Sequence, residues 1–138
     1  LVQVYSFNKE IQNVMLGCRF LVKKIDYFLL PDDLIAARIN KILLHEGFLV
    51  LCDFHFNYQI TILDKDLNKI SVINNYGEGP GEYMSISDVV INDFKKSIDV
   101  LSLNRIIRFD FKGNFVEEFK TPYIFNKIEF FEKDKYLV

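Results

Sequence analysis

From Ile39 onward the chain alternates short apolar runs with short polar breaks, and the same order of runs occurs twice. Ile39 to Leu44 predicts a first strand, and His45-Glu46-Gly47 a solvated turn. Phe48 to Cys52 is almost continuously apolar, as expected of a strand covered on both faces. Asp53 to Tyr58 then forms a connection, Gln59 to Leu63 a third strand, Asp64 to Asn68 a turn, and Ile70 to Ile73 a fourth strand. The second unit repeats this order. Its strands are Ile86 to Ile91, Ser97 to Leu101, Arg105 to Phe109 and Phe115 to Phe119, with Lys112-Gly113-Asn114 turning between the last two. A third unit starts at Phe125-Asn126-Lys127-Ile128 and stops at Tyr136-Leu137-Val138, within its second strand.

Aligning Asp64 with Asp110 gives an offset of 46 residues, and aligning Ile42 with Val89 gives 47. Both lie in the range of roughly 40 to 50 residues that marks propeller repeats. Four short antiparallel strands followed by a loop make one propeller blade. The fold class is therefore all-β, a partial β-propeller of about two and a half blades. Residues 1–38 form an N-terminal region leading into blades at 39–75 and 86–121 and the start of a third at 125–138. In that region Val2-Gln3-Val4-Tyr5-Ser6-Phe7 alternates with period two and predicts a strand. Asn8 reads as the cap of a short helical turn through Ile11, Val14 and Met15, ended by Gly17. Phe20 to Leu30 predicts another strand, broken by Pro31-Asp32-Asp33. Each blade of a propeller buries its faces against its neighbours, so two blades and part of a third cannot close a ring. The expectation is a longer chain; one of only this length would have to close by self-association.

Composition supports strands over a helical bundle. Half of the residues are hydrophobic and 15% are aromatic, supplied by 14 Phe and 7 Tyr, types that pack well on a pleated surface. Seventeen basic and nineteen acidic residues leave a net charge of −2, which offers nucleic acid no electrostatic footprint. No apolar run reaches the ~18 residues of a membrane-spanning helix. Cys18 and Cys52 read as two buried free thiols, with a disulfide between them in an oxidising compartment as the alternative. Met15-Leu16-Gly17-Cys18 superficially matches a lipoprotein cleavage box, but the polar residues before it remove the apolar segment such a box needs.

The most distinctive stretch is Tyr76-Gly77-Glu78-Gly79-Pro80-Gly81-Glu82-Tyr83, which joins the two units. Phe109-Asp110-Phe111-Lys112-Gly113-Asn114-Phe115 is the second distinctive motif, and Lys24 to Leu30 a third. On these motifs the chain from Ile25 to Leu137 resembles a six-bladed β-propeller family of Bacteroidetes, NHL-repeat-like, with a Gly-x-Gly-Pro-Gly-Glu-Tyr signature. The resemblance implies the N-terminal portion of a propeller that is exported, periplasmic or at the cell surface, with a lipid anchor upstream. It implies no catalytic residue.

As a phosphate cradle the glycine loop is poorly suited, because Pro80 lacks an amide, no Gly-Lys-Ser follows, and a strand rather than a helix comes next. The expected role of Gly77, Gly79, Pro80, Gly81, Glu82 and Tyr83 is structural. The glycines would allow positive φ where the chain crosses between blades, Pro80 would rigidify the crossing, and Glu82 and Tyr83 would anchor it to neighbouring backbone. Asp64-x-Asp66-x-Asn68 copies the start of an EF-hand loop, but Lys69 replaces the required Gly and Asn75 the required Glu, so it reads as a hairpin turn. His45 and His55 share no metal-ligand spacing with cysteines or carboxylates. No nucleophile elbow surrounds any serine, and Glu117 and Glu118, adjacent on a strand, point to opposite faces. No metal site, cofactor or catalytic residue is assigned.

Phe54, His55, Phe56 and Tyr58 are the candidate ligand-binding residues. Their connection is longer than its counterpart in the second unit, and it shares a propeller face with the crossing loop. The alternative reading is that Phe54 and Phe56 plug a neighbouring blade. The expected function is a non-catalytic ligand- or protein-binding scaffold of the bacterial cell envelope, with a glycan, peptide or envelope protein as partner. The alternative is a propeller enzyme, a glycan hydrolase or lyase, whose central active site lies mostly outside this segment.

Overall fold

A computed structural model describes residues 3–7, 25–30, 38–133 and 135–138. All regular structure among them is β-strand. The helical turn expected after Asn8, the break at Pro31 and Cys18 lie outside the described residues. The chain divides into two units, Leu1–Ile35 and Ala36–Val138. In the first, β1 (Gln3–Phe7) pairs antiparallel with β2 (Ile25–Leu29), Gln3 opposite Leu29 and Phe7 opposite Ile25.

The second unit contains two four-stranded antiparallel sheets and a two-stranded one. The first sheet runs in chain order through β3 (Lys41–His45), β4 (Phe48–Asp53), β5 (Gln59–Leu63) and β6 (Lys69–Ile73). The second runs through β7 (Asp88–Asn92), β8 (Ser97–Ser102), β9 (Arg105–Asp110) and β10 (Phe115–Lys120). β11 (Glu129–Glu132) and β12 (Lys135–Leu137) form the third. The first strands of successive sheets, β3, β7 and β11, lie side by side. This is the blade order predicted from the apolar runs. The boundaries differ by a residue or two: β3 begins at Lys41 rather than Ile39, and β7 at Asp88 rather than Ile86.

Two apolar cores explain why the middle strands read as continuous apolar runs. Successive side chains of a strand point to opposite faces. On β8 and β9, Ile98, Val100, Ile107 and Phe109 pack toward Val50, Ile60, Ile62 and Ile73 of the first blade. Their neighbours Leu101 and Ile106 join Val90 and Ile128 in a separate core against the third sheet. Each fully buried Ile or Val here stabilises the fold by about 1.5–3 kcal/mol relative to exposure. The fourth strands β6 and β10 are mostly exposed, as outer edges of their sheets.

The hairpins carry their own chemistry. Glu46 and Gly47 both have positive φ (37° and 90°), the signature of a two-residue hairpin that matches strand twist. Asp64 accepts backbone hydrogen bonds from Asp66 (2.8 Å) and Asn68 (2.9 Å), and Asp110 does the same for Lys112 (2.9 Å) and Asn114 (2.8 Å). The expected hairpin turn at Asp64 is therefore present in both blades. His45 departs from its expectation as a solvated turn. It ends β3, stacks on Phe111 with centroids 5.5 Å apart, and its Nδ1 lies 2.9 Å from Asp93. The turn begins one residue later than predicted, so the imidazole belongs to the strand and packs against the next blade.

Candidate binding face and the blade-crossing loop

Antiparallel order brings the start of β3, the end of β4, the start of β5, the end of β6 and the start of β7 to one end of the sheets. The β4–β5 connection and the crossing between blades both lie there. The connection spans Phe54 to Tyr58, where the second blade has only Leu103 and Asn104.

Buried Asp53 shapes this connection. Its carboxylate accepts from the backbone amides of His55 (3.2 Å) and Phe56 (3.0 Å) and from the Asn57 side chain (3.1 Å), a side-chain-stabilised turn of the kind Asp favours. Asn40 accepts the Phe54 amide at 2.9 Å. Phe54 is not a surface residue: it is buried in the core between the two blades. Its place directly after β4 continues the strand's inward-facing alternation, which withdraws it from any ligand. Phe56 is 62% exposed, His55 is exposed, and the Tyr58 ring lies 5.3 Å from that of Tyr76, tilted by 44°. Tyr76 is 55% exposed and was not among the candidates predicted from sequence.

The crossing loop is tied down throughout. Gly77 donates to the Tyr83 carbonyl (3.1 Å), Tyr83 to Asn75 (2.8 Å), and Glu82 to Gly79 (3.0 Å). Gly79 donates back to the Glu82 carboxylate at 2.8 Å. The loop therefore folds around its own carboxylate. From outside, Glu118 accepts the Gly81 amide (3.2 Å), and Arg105 donates to the Glu82 carbonyl (3.0 Å). Of the three glycines only Gly81 has positive φ (+73°). Positive φ does not explain Gly77 or Gly79. A Cβ on Gly77 would sit 2.1 Å from a Glu82 carboxylate oxygen, and one on Gly79 would sit 3.1 Å from it. Both are small because Glu82 folds over them. Pro80 is exposed, and Tyr83 is fully buried. The Tyr83 hydroxyl donates to the Tyr58 carbonyl at 2.8 Å and accepts the Asn75 amide at 3.3 Å. Burial pushes its phenol up to about 12.

Two charged groupings escaped the sequence reading. Asp88, buried at the start of β7, receives Lys41 from the start of β3 (2.9 Å) and the amide of Ile128 (3.2 Å); the Lys127 ammonium lies 3.8 Å away. The starts of β3 and β7 and the segment leading into β11 thus meet at one carboxylate. Deeper, buried Asp99 accepts Nε and Nη2 of Arg108 at 2.8 and 2.9 Å, and the Tyr136 hydroxyl of the third sheet contacts both. The hydrogen bond and charge of Asp99 hold the Arg108 guanidinium firmly protonated. The sequence signal was a charge inside each of two paired apolar strands. Glu117 and Glu118 do diverge, the first to Arg108 and the second to Arg105.

Cys52 is a buried free thiol, pushed up to about 12 by burial. Among the described residues no group of three or more His, Cys, Asp and Glu is arranged to hold a metal ion. Among them no helix is long and apolar enough to cross a membrane.

Repeated four-stranded antiparallel sheets, with their first strands side by side and their facing surfaces packed together, define a β-propeller. Comparison with known proteins agrees. The chain belongs to the 6-bladed beta-propeller family, whose model matches residues 3–137. Its fold is similar to that of a Bacteroides fragilis protein described as exported, with a TM-score of 0.58 and 17% sequence identity. That match covers 91% of this chain and 31% of the solved one, so the chain spans about a third of that protein's length. No curated protein matches the chain.

Proposed function

We propose that this chain is part of a non-catalytic binding scaffold of the bacterial cell envelope. Its partner is a glycan, a peptide or an envelope protein, taken at the end of the blades that carries the β4–β5 connection. Export, and attachment by a lipid upstream, belong to the same proposal; the description of the Bacteroides fragilis protein as exported supports the first. The observation that carries the reading is the pairing of exposed Tyr76 with Tyr58, with Phe56 exposed on the same connection as Tyr58, on loops held by Asp53 and Tyr83. Exposed aromatic rings on rigid supports bind at low entropic cost, because little is left to order on association.

Equilibrium binding of the intact protein to a panel of envelope oligosaccharides and peptides tests this. Tyr76→Ala or Phe56→Ala should weaken the retained ligand by about tenfold or more, the effect of losing an aromatic anchor. Full retention by both variants would remove the site.

A further inference from the structure

The two cores differ in what they require of the sheet that covers them. In the first, Ile98, Val100 and Ile107 lie against Val50, Ile60 and Ile62, and any apolar surface of suitable volume fills such a core. In the second, a charge pair shares the face with the apolar residues. Asp99 and Arg108 are directly opposite each other on β8 and β9, each two positions from its apolar neighbour, Leu101 or Ile106. Tyr136 of β12 completes the set. Its hydroxyl accepts Nδ2 of Asn92 at 3.1 Å and Nη2 of Arg108 at 2.7 Å, and donates to Asp99. One donor and two acceptor sites are all that a hydroxyl has, so every one is used. The ring is placed as well, its centroid 6.2 Å from that of Phe119 on β10 and 6.1 Å from that of Phe130 on its own sheet. Phenylalanine there would lack the oxygen, and serine or threonine the length.

We propose that this network selects which sheet docks on the second blade. The proposal goes beyond the binding reading and does not depend on it. Repeated sheets with apolar faces share a hazard, because a face can take the wrong sheet from elsewhere in the chain or from a second copy. Apolar contact alone discriminates poorly between such sheets. A purely apolar sheet pressed on Asp99 and Arg108 would leave Asn92 and Arg108 each with a donor unpaired in a dry contact. The sheet that carries Tyr136 satisfies both, so the correct docking is favoured chiefly by the cost of the wrong ones. The pair need not add stability for this, since well-packed apolar residues of similar size often hold a core equally well.

Refolding of the intact protein from denaturant, followed by native mass spectrometry, tests the proposal on two variants. Asp99→Leu, Arg108→Met and Tyr136→Phe combined remove the charges and the hydroxyl. The share of dimers and larger species should then rise over the wild type by about tenfold, the effect of one buried donor left unpaired. Tyr136→Phe alone keeps the charges, and should lower the melting temperature without raising that share. If the network only held the fold together, self-association would follow instability, and Tyr136→Phe would associate as much as the triple variant. That result overturns the proposal, as does a triple variant that refolds with the wild-type share. A triple variant that does not fold overturns it too, since the network would then supply stability rather than selection.

Discussion

The Tyr83 hydroxyl donates a 2.8 Å hydrogen bond to the backbone carbonyl of Tyr58, 25 residues earlier in the chain. The bond couples the loop that crosses between blades to the connection within the first blade. Since Tyr83 is fully buried and also accepts the Asn75 amide, both loops are tied to one phenol.

Tyr83→Phe keeps the ring and removes the bond. The Tyr58 carbonyl and Asn75 amide lose a partner, and a buried group left unpaired costs about 1–3 kcal/mol. Urea denaturation should show that loss. An unchanged midpoint would mean that water replaces the hydroxyl without penalty.

Alkaline pH should destabilise the fold for the same reason. Burial raises Tyr83 and Tyr136 from 10.0 to about 12, and Cys52 from 9.0 to about 12. All three are neutral when protonated, so below pH 9 they cost nothing. Between these ordinary and raised values the unfolded chain ionises first, and stability falls as pH rises. Melting temperatures measured up to pH 12 should decline from about pH 9, more steeply above 10. In Tyr83→Phe the decline should be shallower.

The glycines of the crossing should rank by cause. Gly81→Ala meets both a +73° φ and the Phe115 ring, 2.7 Å from the new Cβ, and backbone strain alone costs about 1–3 kcal/mol. Gly79→Ala meets only the Glu82 carboxylate at 3.1 Å, the end of a flexible side chain, and should cost least. Gly77→Ala displaces Glu82 and should lie between them. Equal melting temperatures for all three would contradict the loop geometry.

Breaking the buried Asp99–Arg108 pair from one side should be severe. Arg108→Met strands Asp99, which is fully buried, at a cost of about 3–5 kcal/mol. Replacing Asp99, Arg108 and Tyr136 together by Leu, Met and Phe removes the stranded charge, though it leaves the buried Asn92 amide and Ser97 hydroxyl without these partners, and should restore part of the loss. A triple variant as unstable as Arg108→Met would show that the pair gives more than mutual neutralisation.

Where sequence and structure part, the cause is distance along the chain. Strands were legible because their alternation is local: Gln59–Leu63 falls where the apolar run places it. The Asp64 and Asp110 turns were legible because each Asp bonds to residues two and four positions on. Phe54 was misplaced because the inward alternation of β4 carries past its last residue. His45 was misplaced because its partners, Phe111 and Asp93, belong to the next blade. Asp99, Arg108 and Tyr136 meet from three strands, so no window of neighbours contains them. Gly77 and Gly79 signalled a constraint correctly but not its kind, since a folded-back Glu82 and a left-handed backbone both demand glycine.

Hydrogen exchange of the intact protein, with and without an oligosaccharide or peptide that it retains, locates the binding end of the blades. Exchange should slow in residues 54–58 and 76–84, and stay unchanged at hairpins 46–47, 93–96 and 112–114. Protection confined to those hairpins, or spread evenly over both ends, would contradict the proposed binding end.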